Sequence, residues 1–197
     1  MKIQVSKEDL LAGIQIVQNV VSPKMTLPIL SNILLETQKE NLSLVATDLD
    51  IGISCLVATG SIEEAGAVTV PAKRFADIIR ELPEGDVSIV AKKNNVVTIE
   101  CGTCQFKLMG LPKEEFPKLP EFKDKEAIKI EQAMLKKALN LTSFAVSHEE
   151  TRYILNGMLC KIKDDTLNLV ATDGRRLALA ERKLSDAKNK DIQIIIP

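Results

Sequence analysis

The sequence predicts an α+β protein made of repeated strand-helix-three-strand modules, and three observations lead there. Apolar residues make up 45% of the 197-residue chain while aromatics make up 3% with no Trp, so its cores are aliphatic. Ile, Val and Leu recur at alternate positions, the period of half-buried strands. Finally, Leu42-Ser-Leu-Val-Ala-Thr-Asp48 returns as Leu167-Asn-Leu-Val-Ala-Thr-Asp173, with six of seven residues identical at an offset of 125.

Within the first copy, Ile3 and Val5 mark an opening strand. Ser6 is an N-cap candidate, and Leu10, Ile14, Val17 and Val21 share one helical face, so a helix is expected over Lys7 to Val20. Alternating strands are expected at Asn32 to Thr37, Leu42 to Thr47 and Ile51 to Val57, with Gln38 to Asn41 as a turn. The order then repeats inside the copy. Ala67 to Val70 reads as a strand, and Phe75, Ile78, Ile79 and Leu82 as the apolar face of a helix. Strands follow at Val87 to Ala91, Val96 to Glu100 and Gln105 to Met109, with Lys93 to Asn95 as a turn.

The same offset places Ile3 and Val5 on Ile128 and Ile130, and Leu10 and Ile14 on Leu135 and Leu139. Val70-Pro71 meets Ile196-Pro197 after one inserted residue. The expected boundaries are 1–122 for the first domain, 123–127 for a linker and 128–197 for a second domain, which looks truncated against the first. The three prolines and mixed charge of residues 111–120 suit a connection across a surface.

Several function classes lose support. A net charge of −1 excludes coating of nucleic acid by bulk charge but says nothing of a local basic face. The first ten residues show no secretory pattern and no apolar run approaches a membrane span, while four cysteines in such a chain suggest reduced thiols, so a cytoplasmic protein is expected. Cys101-Gly-Thr-Cys104 has the spacing of a redox or zinc half-site. It lies between two strands, however, without a second pair or a following helix, and reads as a hairpin turn. His148 is the only histidine, with no nucleophile motif beside it, and the repeated Asp48 and Asp173 suit turn closure better than catalysis. No phosphate-cradling glycine loop occurs, and neither cofactor nor metal is expected. The basic residues Lys73, Arg74, Arg80, Lys136 and Lys137 lie on helices, where a solvated, ion-paired face and a phosphate-facing one are both open.

Leu27-Pro-Ile-Leu30, Ala46-Thr-Asp48, Val70-Pro-Ala72, Leu82-Pro83, Phe116-Pro117, Arg152-Tyr-Ile-Leu-Asn-Gly-Met158 and Ala171-Thr-Asp-Gly-Arg-Arg-Leu177 resemble the bacterial DNA polymerase III β subunit. The similarity runs along the whole chain. It implies a non-catalytic sliding clamp: a head-to-tail dimeric ring of six domains with helices lining the hole and antiparallel sheets outside. Lys73, Arg80, Lys136 and Lys137 would then face the phosphates of double-stranded DNA without reading its sequence. By position in the family, Lys24, Arg152 and Tyr153 are further DNA contacts. Glu149 and Ile154 replace an amide and a second aromatic residue found in other members.

Ring closure in the family uses the strand containing Phe106 and Leu108, where Thr103 and Gln105 replace basic residues of some members. Family members have three domains, so a chain of this length is expected not to close the ring alone and to be monomeric or weakly self-associating. A groove for partner peptides is expected at Leu155, Thr172, Gly174, Arg175, Arg176 and Leu177, where two apolar residues flank a glycine turn. The partners implied are the polymerase III catalytic subunit, the clamp loader and other proteins with a clamp-binding motif. Two other classes stay open from the residues alone: a protein-binding adapter that never encloses DNA, and a thiol-dependent enzyme using Cys101 and Cys104.

Overall fold

The computed structural model describes residues 1–21, 27–120, 128–185 and 191–197, and the chain divides into two units, Met1–Pro120 and Glu121–Pro197. The first unit runs β1 (Lys2–Ser6), α1 (Lys7–Val17), β2 (Asn32–Gln38), β3 (Asn41–Thr47), β4 (Gly52–Ala58), β5 (Ser61–Glu64), β6 (Ala67–Pro71), α2 (Ala72–Glu81), β7 (Asp86–Ala91), β8 (Val96–Cys101) and β9 (Cys104–Met109). Ser6 caps α1 as its chemistry suggests, its hydroxyl oxygen accepting from the Asp9 N–H at 3.1 Å. The α-helix stops at Val17, and Gln18–Val20 tightens into a 3₁₀ turn.

The two halves of this unit exchange their first strands. One sheet has the order β4-β3-β2-β6 and the other β5-β1-β7-β8-β9, so β6 completes the first half and β1 the second. All pairings are antiparallel. Leu10, Ile14 and Val17 of α1 and Phe75 and Ile79 of α2 are fully buried in one core with Ile3, Val5, Ile33, Leu35, Leu44, Ile89 and Ile99. At Gly13 a Cβ would lie 2.5 Å from Val57 Cγ2 and 2.8 Å from Leu44 Cδ1. The glycine therefore lets α1 approach the sheet more closely than any side chain allows.

Two sequence expectations need correction here. β5 went unread because Ser-Ile-Glu-Glu has no alternation. It forms because β1 offers a free edge, with Lys2 bonded to Glu63 at 2.7 Å and the N-terminal ammonium 3.7 Å from Glu64. The proline-rich residues after β9 are also more than a connection. Leu111 bridges Thr69 of β6, and Phe116, 6% exposed, packs with Ile29, Leu30, Leu34, Val45 and Leu111 on the outer face of β2 and β3. Lys113 adds a 3.2 Å ion pair with Glu36. The expected linker 123–127 lies outside the described residues.

The second unit contains α3 (Gln132–Asn140), β10 (Met158–Lys163), β11 (Thr166–Thr172), β12 (Leu177–Lys183) and β13 (Ile192–Ile196), in the sheet order β12-β11-β10-β13. That order repeats β4-β3-β2-β6. Even the register repeats: Ile33 faces Val70 in one copy and Met158 faces Ile196 in the other, which locates the inserted residue before β13. The expected strand-for-strand match fails at one place, since Ile128 and Ile130 lie in no strand but pack, half-buried, on this unit's core. In the first unit β1 is held by β7 and β5. Among the described residues of the second unit, 128–130 pair with no strand.

Candidate functional site

The Ala-Thr-Asp strings end β3 and β11 and build the same turn twice. Thr172 Oγ1 donates to the Arg176 carbonyl at 2.7 Å, and Asp173 Oδ1 accepts from the N–H groups of Arg175 and Arg176 at 2.9 Å each. Thr47 and Asp48 repeat these bonds with Ile51 and Asp50. The repeated aspartates close turns, as their chemistry suggests. The residue after each has a positive φ: +85° at Gly174, where glycine is at ease, and +82° at Leu49, where it is not. The Arg175 N–H first, then the Arg176 N–H, and last the Arg176 side chain, bonded to Oδ2 at 3.0 Å, hold the Asp173 carboxyl down to about 2.

Beside this turn runs the loop of residues 147–156. The Ser147 N–H donates to the Leu155 carbonyl at 3.0 Å, and the Asn156 amide nitrogen, turned toward the loop, donates to the Ser147 and Glu149 carbonyls at 3.1 Å each. Arg152 sits at a kink with φ −117° and ψ 56°. Its Nε lies 3.4 Å from Glu149, and its Nη1 lies 3.1 Å from where a Cβ on Gly174 would stand. The expected DNA contact Arg152 and the expected groove residue Gly174 are thus neighbours. Tyr153 is 77% exposed, Leu155 half-buried and Leu177 65% exposed at the head of β12, so Leu177 is not a core leucine. Arg175 is exposed and Thr172 half-buried, while Arg176 lies over the Phe144 ring at 5.5 Å.

Among the described residues, an open cleft of about 430 Å³ lies along this sheet face rather than at the turn itself. Leu159, Val170 and Leu179 form its apolar part, and Lys161, Lys163, Asn168 and Glu181 its polar part. None of the expected groove residues lines it.

On the helices, Lys73 and Arg80 are exposed on α2, Arg80 being tied to Asp77 at 3.1 Å. Lys136 and Lys137 are exposed on α3 and enter no ion pair among the described residues. The structure brings Lys73 and Arg80 onto one helix and Lys136 and Lys137 onto another. Lys24 lies outside the described residues. β9 is a sheet edge with Phe106 40% exposed, whereas Leu108 is 7% exposed and committed to its own unit's core. That edge's exposed apolar side chains are therefore Phe106 and Met109, on opposite faces.

Cys101 and Cys104 face each other across the Gly102-Thr103 turn as free thiols, Gly102 taking φ +57°. Burial pushes the Cys160 thiol up. His148 is exposed, and the described residues contain no group of three metal-ligating side chains. No described helix is long and apolar enough to cross a membrane.

Residues 1–120 match the model for the DNA polymerase III beta subunit N-terminal domain and residues 129–197 the model for its central domain. The chain belongs to the DNA polymerase III beta subunit family. A beta sliding clamp of Chlamydia muridarum is 37% identical over 197 residues, 100% of this chain and 54% of that protein. The crystal structure of the Bacillus subtilis DNA polymerase sliding clamp superposes with a TM-score of 0.94 at 33% identity, covering 100% of this chain and 54% of that one. A Pseudomonas aeruginosa sliding clamp bound to griselimycin gives 0.92 at 35% identity, covering 100% and 53%. The α+β clamp fold expected from the sequence is the one found. The chain spans about half the length of the curated relatives it matches.

Sequence reading missed three contributors to these surfaces. Asn156 was quoted only as part of a string, although an amide inside such a loop is a usual backbone anchor. Phe144 and the row Leu159, Val170 and Leu179 carried no signal, because nothing in the sequence says which face of a strand stays open.

Proposed function

We propose that this chain forms part of a ring that encircles double-stranded DNA and tethers the polymerase III catalytic subunit, acting as a cytoplasmic, non-catalytic processivity factor. The observation that carries this reading is the tandem of two units with the same turn, strand order and register, matched along their length to successive domains of one clamp family. The exposed Lys73, Arg80, Lys136 and Lys137 support a helix face that holds phosphates through water, which allows sliding because no base is read. Arg152 and Tyr153 extend that contact, with Lys24. The exposed Leu177 at the Thr172 to Arg176 turn, with the half-buried Leu155 on the loop whose Arg152 reaches that turn, supports docking of a short apolar peptide from the polymerase, the clamp loader or another partner. Phe106 on the β9 edge supports pairing between subunits of a homodimeric ring, with Leu108 stiffening that strand from within.

The test is topological. A ring containing this chain, loaded on circular DNA, stays bound at moderate salt and is released when the circle is cut. Equal retention on linear and circular DNA overturns encirclement. Leu177→Lys with an intact circular-dichroism spectrum and unchanged affinity for a clamp-binding peptide overturns the groove.

A further inference from the structure

Cys101 and Cys104 take no part in the function proposed above. They flank the two-residue turn that joins β8 to β9 and stand directly opposite each other in the register. Opposite residues of an antiparallel pair point to one face of the sheet, and here that is the core side: Cys101 is 3% exposed within the core, and the half-buried Cys104 packs against it. Both are free thiols. Cys55 on β4 and Cys160 on β10 belong to the other two sheets. Gly102, at φ +57° in the first central position, takes the backbone conformation that such a tight hairpin requires. A turn of this size holds its flanking Cα atoms within about 7 Å, and a disulfide spans about 4.4–6.8 Å. The backbone therefore already brings the two sulfurs within bonding range of one another.

The fit is close but not relaxed. Opposite residues keep their Cβ atoms about 4.5–5.5 Å apart, whereas a disulfide needs about 3.5–4.5 Å, so the bond draws the strands together and is correspondingly easy to reduce. The open form has a stabilising contact of its own, because the Cys101 thiol donates to the Pro83 carbonyl at 3.4 Å, just beyond α2. We propose that Cys101 and Cys104 form a reversible disulfide site, a two-thiol switch that a small external disulfide closes and excess thiol reopens. Access sets the order of events. Cys104, as a thiolate, attacks one sulfur of the external disulfide; a mixed disulfide forms, and the expelled thiolate takes up the proton that Cys104 gave. Cys101 then attacks the Cys104 sulfur, the bond between the two closes, and the second external thiolate leaves with the Cys101 proton. Two cysteine thiols are oxidised and one external disulfide is reduced to two thiols. Phe106 lies two residues beyond Cys104 on the same face of β9, so closure stiffens the end of that edge strand. The site lies within the first unit and does not depend on ring formation or on the groove at Leu177.

The experiment incubates the whole folded chain with excess glutathione disulfide, quenches with an alkylating agent in urea, and maps the cysteines by mass spectrometry. A peptide linked through Cys101 and Cys104 is expected, lighter by two hydrogens, and excess reduced glutathione should return both thiols. Cys101→Ser should stop at a mixed disulfide of Cys104 with glutathione. Cys104→Ser should leave Cys101 modified at least about tenfold more slowly than the pair closes, since Cys101 is buried. Amide hydrogens of residues 101–109 should exchange more slowly in the closed form. Two free thiols after prolonged incubation, a mixed disulfide that never closes in the unsubstituted chain, closure only in urea, or a bond that excess glutathione leaves intact each overturns the proposal. Exchange that is unchanged or faster overturns the stiffening of β9.

Discussion

Phe116→Ala tests whether the residues after β9 hold the first unit together. A buried Phe removes roughly 150–250 Å² from water, worth about 4–6 kcal/mol at 25 cal/mol per Å², and large-to-small core changes of this kind cost about 3–5 kcal/mol. The site falls at the lower end. Of the five residues around the ring, Leu34, Val45 and Leu111 are only partly buried, so the space left behind opens to water instead of remaining a void. A loss of about 3 kcal/mol is expected. Urea unfolding followed by far-ultraviolet circular dichroism reads both units. The fluorescence of Tyr153, the single tyrosine in a chain without tryptophan, reads the second alone. The circular-dichroism transition should move while the tyrosine transition stays in place. Leu179→Ala, on β12 and 59% exposed, should change stability by less than about 0.5 kcal/mol. A cost below about 1 kcal/mol for Phe116→Ala, or equal costs at the two sites, would refute the covering role.

Gly174→Ala forces a side chain into φ +85° beside Arg152. The strain of about 1–2 kcal/mol less about 0.4–1 kcal/mol from a stiffer unfolded chain leaves a modest net loss. Tyrosine-detected unfolding that shows a gain instead would contradict it. The Asp173 carboxyl, depressed to about 2 from 3.8, should titrate near 2 by carbon-detected NMR. Its contribution to stability is then complete above about pH 4 and lost as pH falls through 2, and a midpoint near 3.8 would remove the assigned cause. Cys160, buried and with its thiol pushed up, should resist iodoacetamide at neutral pH until urea is added. Rapid labelling of the native chain would show that unit opening. Finally, Lys136→Glu with Lys137→Glu in a ring containing this chain should lower DNA retention and flatten its salt dependence, and an unchanged salt slope would place α3 away from phosphate.

Local chemistry left its mark on the sequence, and so it could be read there. Ser6 as a cap, the apolar face of α1, the alternation in β2 and β3, and the Thr-Asp turns are each set by residues within a few positions of one another. The repeat located the second copy for the same reason, because equal side chains at equal spacing impose equal strands. What the tertiary structure alone decided involves partners far apart along the chain. β1 finds β7 and β6 finds β2 across the two halves, an exchange that hydrophobic period cannot express because it tells which residues are buried and not against what. Ile128 and Ile130 have the pattern of Ile3 and Val5 but lie in no strand, so the same local signal accompanies a strand in one unit and none in the other. The site divides in the same way. The turn around Gly174 was legible, whereas the approach of Arg152, the anchoring by Asn156 and the burial of Leu108 depend on which segments meet in space. Burial is a property of the neighbours a residue meets, and those neighbours are chosen only when the chain closes on itself.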